Sequence, residues 1–159
     1  MLLEEQKLNI IKNVVRNEIV SEKQSLEKLK KVAKEYERSR LSEHELTKLS
    51  AMLNVSSQFS RSIKDLSALE LELNNVANAD EFMKNNPGIL SLINKHANRV
   101  LRKIYEEEAV YYSGEASLHE RTIHWAHVTL LINEDEHELL NLALEIQNQK
   151  NELQYTKGE

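Results

Sequence analysis

Three residues in the last third of the chain have types and spacing that suit metal binding. Glu120, His124 and His127 stand at i, i+4 and i+7, so a helix would carry one carboxylate and two imidazoles along one side. A zinc or di-iron site in a helical bundle needs further ligands from facing helices, and His96 or Glu108 could supply them. A hydrogen-bonded core histidine is the commoner role for His124. We therefore predict no metal and no cofactor, and keep this set as the candidate ligands of a metal site.

A second pattern that could do chemistry overlaps the first. The segment Leu118-His119-Glu120-Arg121-Thr122 resembles the phosphoacceptor box of histidine kinases, in which a His-Glu pair opens a helix of a dimeric bundle. The resemblance covers five residues and implies that His119 would accept the phosphate. The segment departs from the family pattern because it lacks the residue between Glu and Arg and no proline follows Thr122. Phosphotransfer is accordingly an alternative, ranked with metal binding.

No other pattern in the chain supports catalysis. The sequence has no cysteine, which excludes a thiolate metal site, a disulfide framework and a cysteine nucleophile. It also has no glycine-rich phosphate loop, no nucleophile elbow and no His-Glu-x-x-His pattern. We therefore predict that the protein is not an enzyme.

Charge is distributed unevenly along the chain, whose formal net charge is -5. Residues 28–40 contain six bases against two acids, a local charge of +4, and residues 106–145 contain ten acids against one base, a local charge of -9. These opposite segments predict either solvated faces that complement each other within the fold or between subunits, or a strip that binds polyanions. The candidate polyanion-binding residues are Lys28, Lys30, Lys31, Lys34, Arg38 and Arg40.

The composition indicates a helical protein. Three glycines and one proline in 159 residues are too few for the turns of a sheet, and the length fits a single domain with one core. The first residues lack the features of a signal peptide, and no apolar run approaches the ~20 residues of a membrane span. We expect a cytoplasmic protein that does not enter a membrane.

The segment that must position the histidines is expected to form the longest helix. Ser117 and Glu120 form a capping-box pattern at its start, and no Gly or Pro occurs before Gly158. Seven apolar residues then fall within one arc of about 100°: Val128, Leu131, Ile132, Leu139, Leu142, Ile146 and Leu153. The simplest interpretation is one unbroken helix of about 36 residues.

Three further helices are expected before it. A second capping box begins at Ser42 and predicts a helix-helix turn near residues 38–42, with one continuous rod as the alternative. The sequence Asn85-Asn86-Pro87-Gly88 predicts a turn before the third long helix. The predicted helices cover about residues 3–38, 43–77, 89–112 and 118–155 of a single domain, residues 1–159. They predict an all-α fold, an elongated, coiled-coil-like antiparallel bundle of four long helices that self-associates.

The leading functional hypothesis follows from this architecture. We expect a non-enzymatic helical protein that acts as an adaptor, an inhibitor or an assembly factor through protein-protein contacts, and that forms a homo-oligomer. A nucleic-acid-associated accessory oligomer, which would use the basic segment 28–40, is the alternative, because clustered lysines and arginines can follow phosphates.

Overall fold

The computed structural model describes residues 2–38, 40–111 and 131–157. These ranges contain five helices and no strand: α1 (Glu4–Glu37), α2 (Glu43–Leu73), α3 (Ala79–Asn85), α4 (Pro87–Tyr111) and α5 (Glu134–Lys157). The all-α prediction is confirmed for this part of the chain. The four-helix antiparallel bundle is not confirmed, because a short additional helix, α3, is present.

The break between α1 and α2 lies where the sequence predicts it. α1 ends at Glu37, and Ser42 caps α2 by accepting a hydrogen bond from the Glu45 backbone N–H at 3.3 Å. The Ser42 hydroxyl also donates to the Glu45 carboxylate at 3.1 Å. The bond from the Glu45 N–H satisfies a backbone donor that the first turn of a helix leaves free. The continuous rod is therefore excluded, and the turn is the correct alternative.

A polar cap starts the short helix α3, and a proline starts α4. The Asn78 side chain accepts from the Glu81 backbone N–H at 3.0 Å, so asparagine caps α3. Pro87 is the first residue of α4, a position where its fixed φ suits the helix and its missing N–H costs nothing. The third long helix therefore begins two residues earlier than predicted.

The last helix is shorter than the sequence analysis predicts. Asn133 and Glu136 form a reciprocal capping box: the Asn133 side chain accepts from the Glu136 N–H at 2.8 Å, and the Asn133 N–H donates to the Glu136 carboxylate at 3.1 Å. α5 begins between them, at Glu134. The prediction of one unbroken helix is wrong because this box starts a new helix. The predicted start at Ser117 lies outside the described residues.

Close contacts divide the chain into two compact units, and α1 contributes residues to both. The core unit comprises Met1–Ile11 and Asn78–Glu159, and the hairpin unit comprises Lys12–Ala77. The prediction of a single domain stays a prediction. Among the described residues, no helix combines the length and the apolar character that crossing a bilayer requires.

The core unit has a closed apolar interior. α4 packs against both α5 and α3, and the start of α1 belongs to the same unit. Its interior side chains are almost inaccessible to solvent, with Ile11 and Ile93 fully buried. The buried apolar residues are Ile10, Ile11, Ala79, Phe82, Met83, Ile89, Ile93, Ala97, Val100, Ile132, Leu139 and Leu142.

The hairpin unit is formed by the remainder of α1 and by α2, which run antiparallel. The Ser62 hydroxyl of α2 donates to the Glu22 carboxylate of α1 at 3.0 Å. The two residues lie at similar distances along the chain from the break at residues 38–42, so the helices fold back on each other. The unit has fewer buried apolar residues than the core unit: Val14, Val15, Ile19, Ala33, Leu66 and Leu73.

Candidate functional site: an exposed flank of the helical hairpin

Buried and half-buried side chains form a line along each helix of the hairpin, and we call these two lines together the seam. The seam residues are separated by alternating steps of three and four, which is the heptad spacing of positions a and d in a coiled coil. They are Glu22, Leu26, Leu29, Ala33 and Tyr36 of α1, and Leu49, Met52, Ser56, Phe59 and Ile63 of α2. The coiled-coil-like bundle itself stays a prediction.

Two leucines lie outside the seam. Leu46, Leu49 and Leu53 are spaced by three and four residues, a pattern that predicts one apolar face with all three leucines turned inward. In the structure the seam passes through Met52 and Ser56 instead, and Leu46 and Leu53 are 53% and 50% exposed. They are seven residues apart, so they lie one above the other on the same side of α2. The seam therefore contains Ser56 and leaves out Leu53, which the regular spacing of the leucines would favour.

The same side of the hairpin carries two lysines from α1. Leu46 and Leu53 occupy heptad position e, just beyond the seam, and Lys23 and Lys30 occupy position e of α1. In an antiparallel pair, residues with equal offset from the seam lie on the same side of both helices. All four side chains are largely exposed. We call these four residues the leucine flank.

The bond between Glu22 and Ser62 sets which residues of the flank are level with each other. Eight residues further along α1, Lys30 is level with Asn54, one residue from Leu53, since both helices rise equally per residue. Lys23 is similarly level with Arg61. Lys30 therefore lies within one helical turn of the exposed Leu53, measured along the hairpin.

The opposite flank of the hairpin is less apolar. Val32 of α1 and Val55 of α2 occupy position g, and each is 39% exposed. Valine has less apolar surface than leucine, so leaving it in water costs less free energy. The leucine flank is thus the larger exposed apolar feature at this level of the hairpin.

The predicted polyanion-binding residues are all exposed. Lys28, Lys30, Lys31, Lys34, Arg38 and Arg40 each have a solvent-accessible side chain. At about 100° per residue, four of them, Lys30, Lys31, Lys34 and Arg38, share an arc of about 100° on α1. Lys28 lies about 60° beyond that arc, and Arg40 follows the helix.

Lys23 falls within the same arc and was missed by the sequence analysis. It precedes the basic segment by a stretch that looked neutral, and only its spacing of seven from Lys30 could have revealed it. The acidic Glu27 also lies within the arc. The basic face therefore contains an acid where a phosphate-binding strip would be uniformly positive.

The predicted metal ligands Glu120, His124 and His127 lie outside the described residues, as does His119. His96 is buried on α4. In the part of the chain that is described, no three residues of the types His, Cys, Asp and Glu are close enough to hold a metal ion. The metal and phosphotransfer hypotheses remain predictions.

One buried cation occurs in the core unit. Lys7 is 5% exposed, and its Nζ lies 3.4 Å from Asp80 Oδ1 and 3.7 Å from Glu145 Oε1. The neighbouring Glu4 carboxylate accepts a hydrogen bond from the Ala79 backbone N–H at 2.7 Å. These contacts join α1 to α3 and α5. Because a buried charge is costly unless it is paired, we assign the cluster a role in holding the helices together.

Comparison of the chain with protein-family models, with curated proteins and with solved structures finds no match.

Proposed function

We propose that the protein is a non-enzymatic interaction protein that binds another protein through the leucine flank. The observation that supports this proposal is the half exposure of Leu46 and Leu53 beside a packed seam. Exposed leucines aligned on one helix face contribute to binding when a partner covers them, since each would remove apolar surface from water. An adaptor, an inhibitor or an assembly factor would each use such a surface.

The hairpin gives this surface a suitable support. Binding is stronger when the contact residues are held in place before the partner arrives, because less conformational entropy is lost. The seam and the bond between Glu22 and Ser62 hold α1 and α2 together, and the capped break at Ser42 connects them. A partner would therefore meet two ordered helices.

The experiment that tests the proposal compares three forms of the protein as baits in the cells that produce it. Leu53→Asp introduces a charge into the leucine flank, and Leu71→Asp is the matched control, because Leu71 lies on the same helix and is 70% exposed. We expect specific proteins, identified by mass spectrometry, to be retained by the wild type and by the control and lost with Leu53→Asp. Equal recovery with all three baits would refute the proposal.

Self-association is the second part of the proposal. The predicted homo-oligomer would cover exposed apolar surface on the hairpin with a second copy. Sedimentation velocity over a range of concentrations should show a species heavier than 18.5 kDa. A monomer at every concentration would remove self-association and leave binding to a different protein intact.

Nucleic-acid binding remains the alternative function. The exposure of the six predicted bases supports it, while Glu27 within their arc and the adjacent leucines favour a protein partner. Binding to phosphates releases counterions and weakens steeply as salt increases. A salt titration with labelled DNA and RNA distinguishes the two, because the alternative fails if no binding occurs at low ionic strength.

A further inference from the structure

The leucine flank combines apolar and positively charged side chains, and their arrangement limits the class of partner that can bind. Leu46 and Leu53 are on α2, Lys23 and Lys30 are on the neighbouring side of α1, and all four are exposed or largely exposed. Two further exposed lysines, Lys34 and Lys64, occupy heptad position b, one step further out on each helix. A partner that covers the leucines must therefore also approach several lysines.

The charge of this side of the hairpin is positive, although the whole chain has a formal net charge of -5. Glu37 is the acid at position e of α1, level with the region of Leu46, and two acids occupy position b, Glu27 on α1 and Glu43 on α2. The four lysines are thus accompanied by three carboxylates, which leaves a charge of +1. Opposite charge around an apolar contact accelerates association and disfavours partners of like charge.

We infer that the leucine flank binds an amphipathic helix of a partner protein, one whose apolar stripe is bordered by aspartate and glutamate. This inference rests on the function proposed above and specifies the class of partner. The stripe contacts Leu46 and Leu53, and the acidic border pairs with Lys23 and Lys30. The occupant packs as an additional helix beside the hairpin, in the manner of a groove that accepts a helix.

A nucleic acid fits this surface less well than an acidic helix. Phosphates would pair with the lysines but would leave the two leucines without an apolar partner, and they would be repelled by Glu27 and Glu37. An acidic helix supplies both kinds of contact. The combination of side chains, rather than the positive charge alone, supports the inference.

The test uses the full chain and two designed fluorescent peptides. Both peptides are amphipathic helices with the same leucine stripe; one has glutamate and the other has lysine at the bordering positions. Binding is measured by fluorescence anisotropy, with each peptide kept below the concentration at which it self-associates. We expect the glutamate peptide to bind the wild type at least about tenfold more tightly than the lysine peptide, a difference of ~1.4 kcal/mol.

Two variants identify the surface that the peptide uses. Leu53→Asp should weaken binding of the glutamate peptide at least about tenfold, and the control Leu71→Asp should leave it unchanged. The double variant Lys23→Glu, Lys30→Glu should reverse the preference, so that the lysine peptide binds more tightly. Circular dichroism of each variant confirms that it remains helical.

The possible outcomes separate this inference from the function on which it rests. Equal binding of both peptides, or no binding of either, overturns the inference. If host proteins are nevertheless lost in the Leu53→Asp bait experiment, the proposed function stands and its partner has another chemistry. Tight binding of labelled single-stranded RNA that is insensitive to Leu53→Asp would overturn the inference in favour of nucleic acid.

Discussion

The core unit and the hairpin unit are built from the same kind of amphipathic helix, yet they bury their apolar residues to different extents. Leu142 of α5 is 1% exposed, and Ile93 of α4 is fully buried. In the hairpin, Leu26, Leu29 and Leu49 occupy seam positions and are only half-buried. Val15 and Leu73 of the same unit are fully buried, so the difference concerns residues 22–63 of the hairpin. There we attribute it to a single neighbouring helix, which covers a narrower sector than two or three do.

This comparison shows that an apolar stripe by itself does not indicate burial. A stripe is completely covered where α1, α3, α4 and α5 all contribute to one unit. Along residues 22–63 of the hairpin, most seam residues are half-buried, and Leu46 and Leu53 just beyond the seam remain in solvent. The free energy gained per residue, which scales with the apolar area removed from water, should therefore be larger in the core unit.

The largest expected effect is the loss of a core leucine. Leu142→Ala should lower the free energy of unfolding by about 3 kcal/mol, because it removes a buried side chain and leaves a cavity. Leu53→Ala in the hairpin should change it by less than about 0.5 kcal/mol, as is usual for exposed positions. Urea unfolding followed by circular dichroism measures both. Similar losses for the two variants would contradict the difference between the units.

An intermediate effect is expected at the buried cation. Lys7→Met should lower the free energy of unfolding by about 2 kcal/mol. The loss should be smaller than for the cation of a fully buried ion pair, because Asp80 is half exposed. Replacing Glu145 by Met as well should recover most of the loss, since no carboxylate then remains buried without a cation. The matched control is Lys103→Met, which removes the exposed pair with Glu136, 3.8 Å apart. If Lys103→Met lowers the free energy of unfolding as much as Lys7→Met does, burial does not determine the contribution of the ion pair.

The smallest effect is expected in the hairpin seam. Ser56 is buried, and its hydroxyl has no hydrogen-bond partner among the described residues. Ser56→Ala should slow hydrogen exchange of the hairpin amides, because it removes an unsatisfied polar group and raises helix propensity, for a gain of about 0.5–1 kcal/mol. The exposed neighbour Ser57 provides the control, since Ser57→Ala offers the propensity gain alone. Faster exchange in Ser56→Ala would show that the hydroxyl stabilises the seam.

The sequence was sufficient to predict the helical class and the break at Ser42, because both depend on local chemistry. Few glycines and prolines favour helices, and Ser42 with Glu45 satisfies the first turn of α2. The cap at Asn133 has the same kind of signal. The apolar arc of the last helix continues through Asn133, however, and this continuity predicts one long helix.

The candidate site was harder to predict because it depends on which of two stripes faces α1. Leu46, Leu49 and Leu53 form as regular a pattern as Leu49, Met52 and Ser56, and the leucines are more apolar. Burial selects the second pattern, and burial depends on residues far apart in the sequence, such as the hydrogen-bonded pair Glu22 and Ser62. Periodicity alone does not contain that information.

The division of α1 between the two units has a consequence for the order of folding. The hairpin unit is continuous in sequence, so its helices can pair as soon as residues 12–77 have left the ribosome. The core unit needs both residues 1–11 and segments that are synthesised after the hairpin, and closing so large a loop is entropically costly and slow. We expect the hairpin to form first and to hold the start of α1 helical until α4 and α5 arrive to enclose it.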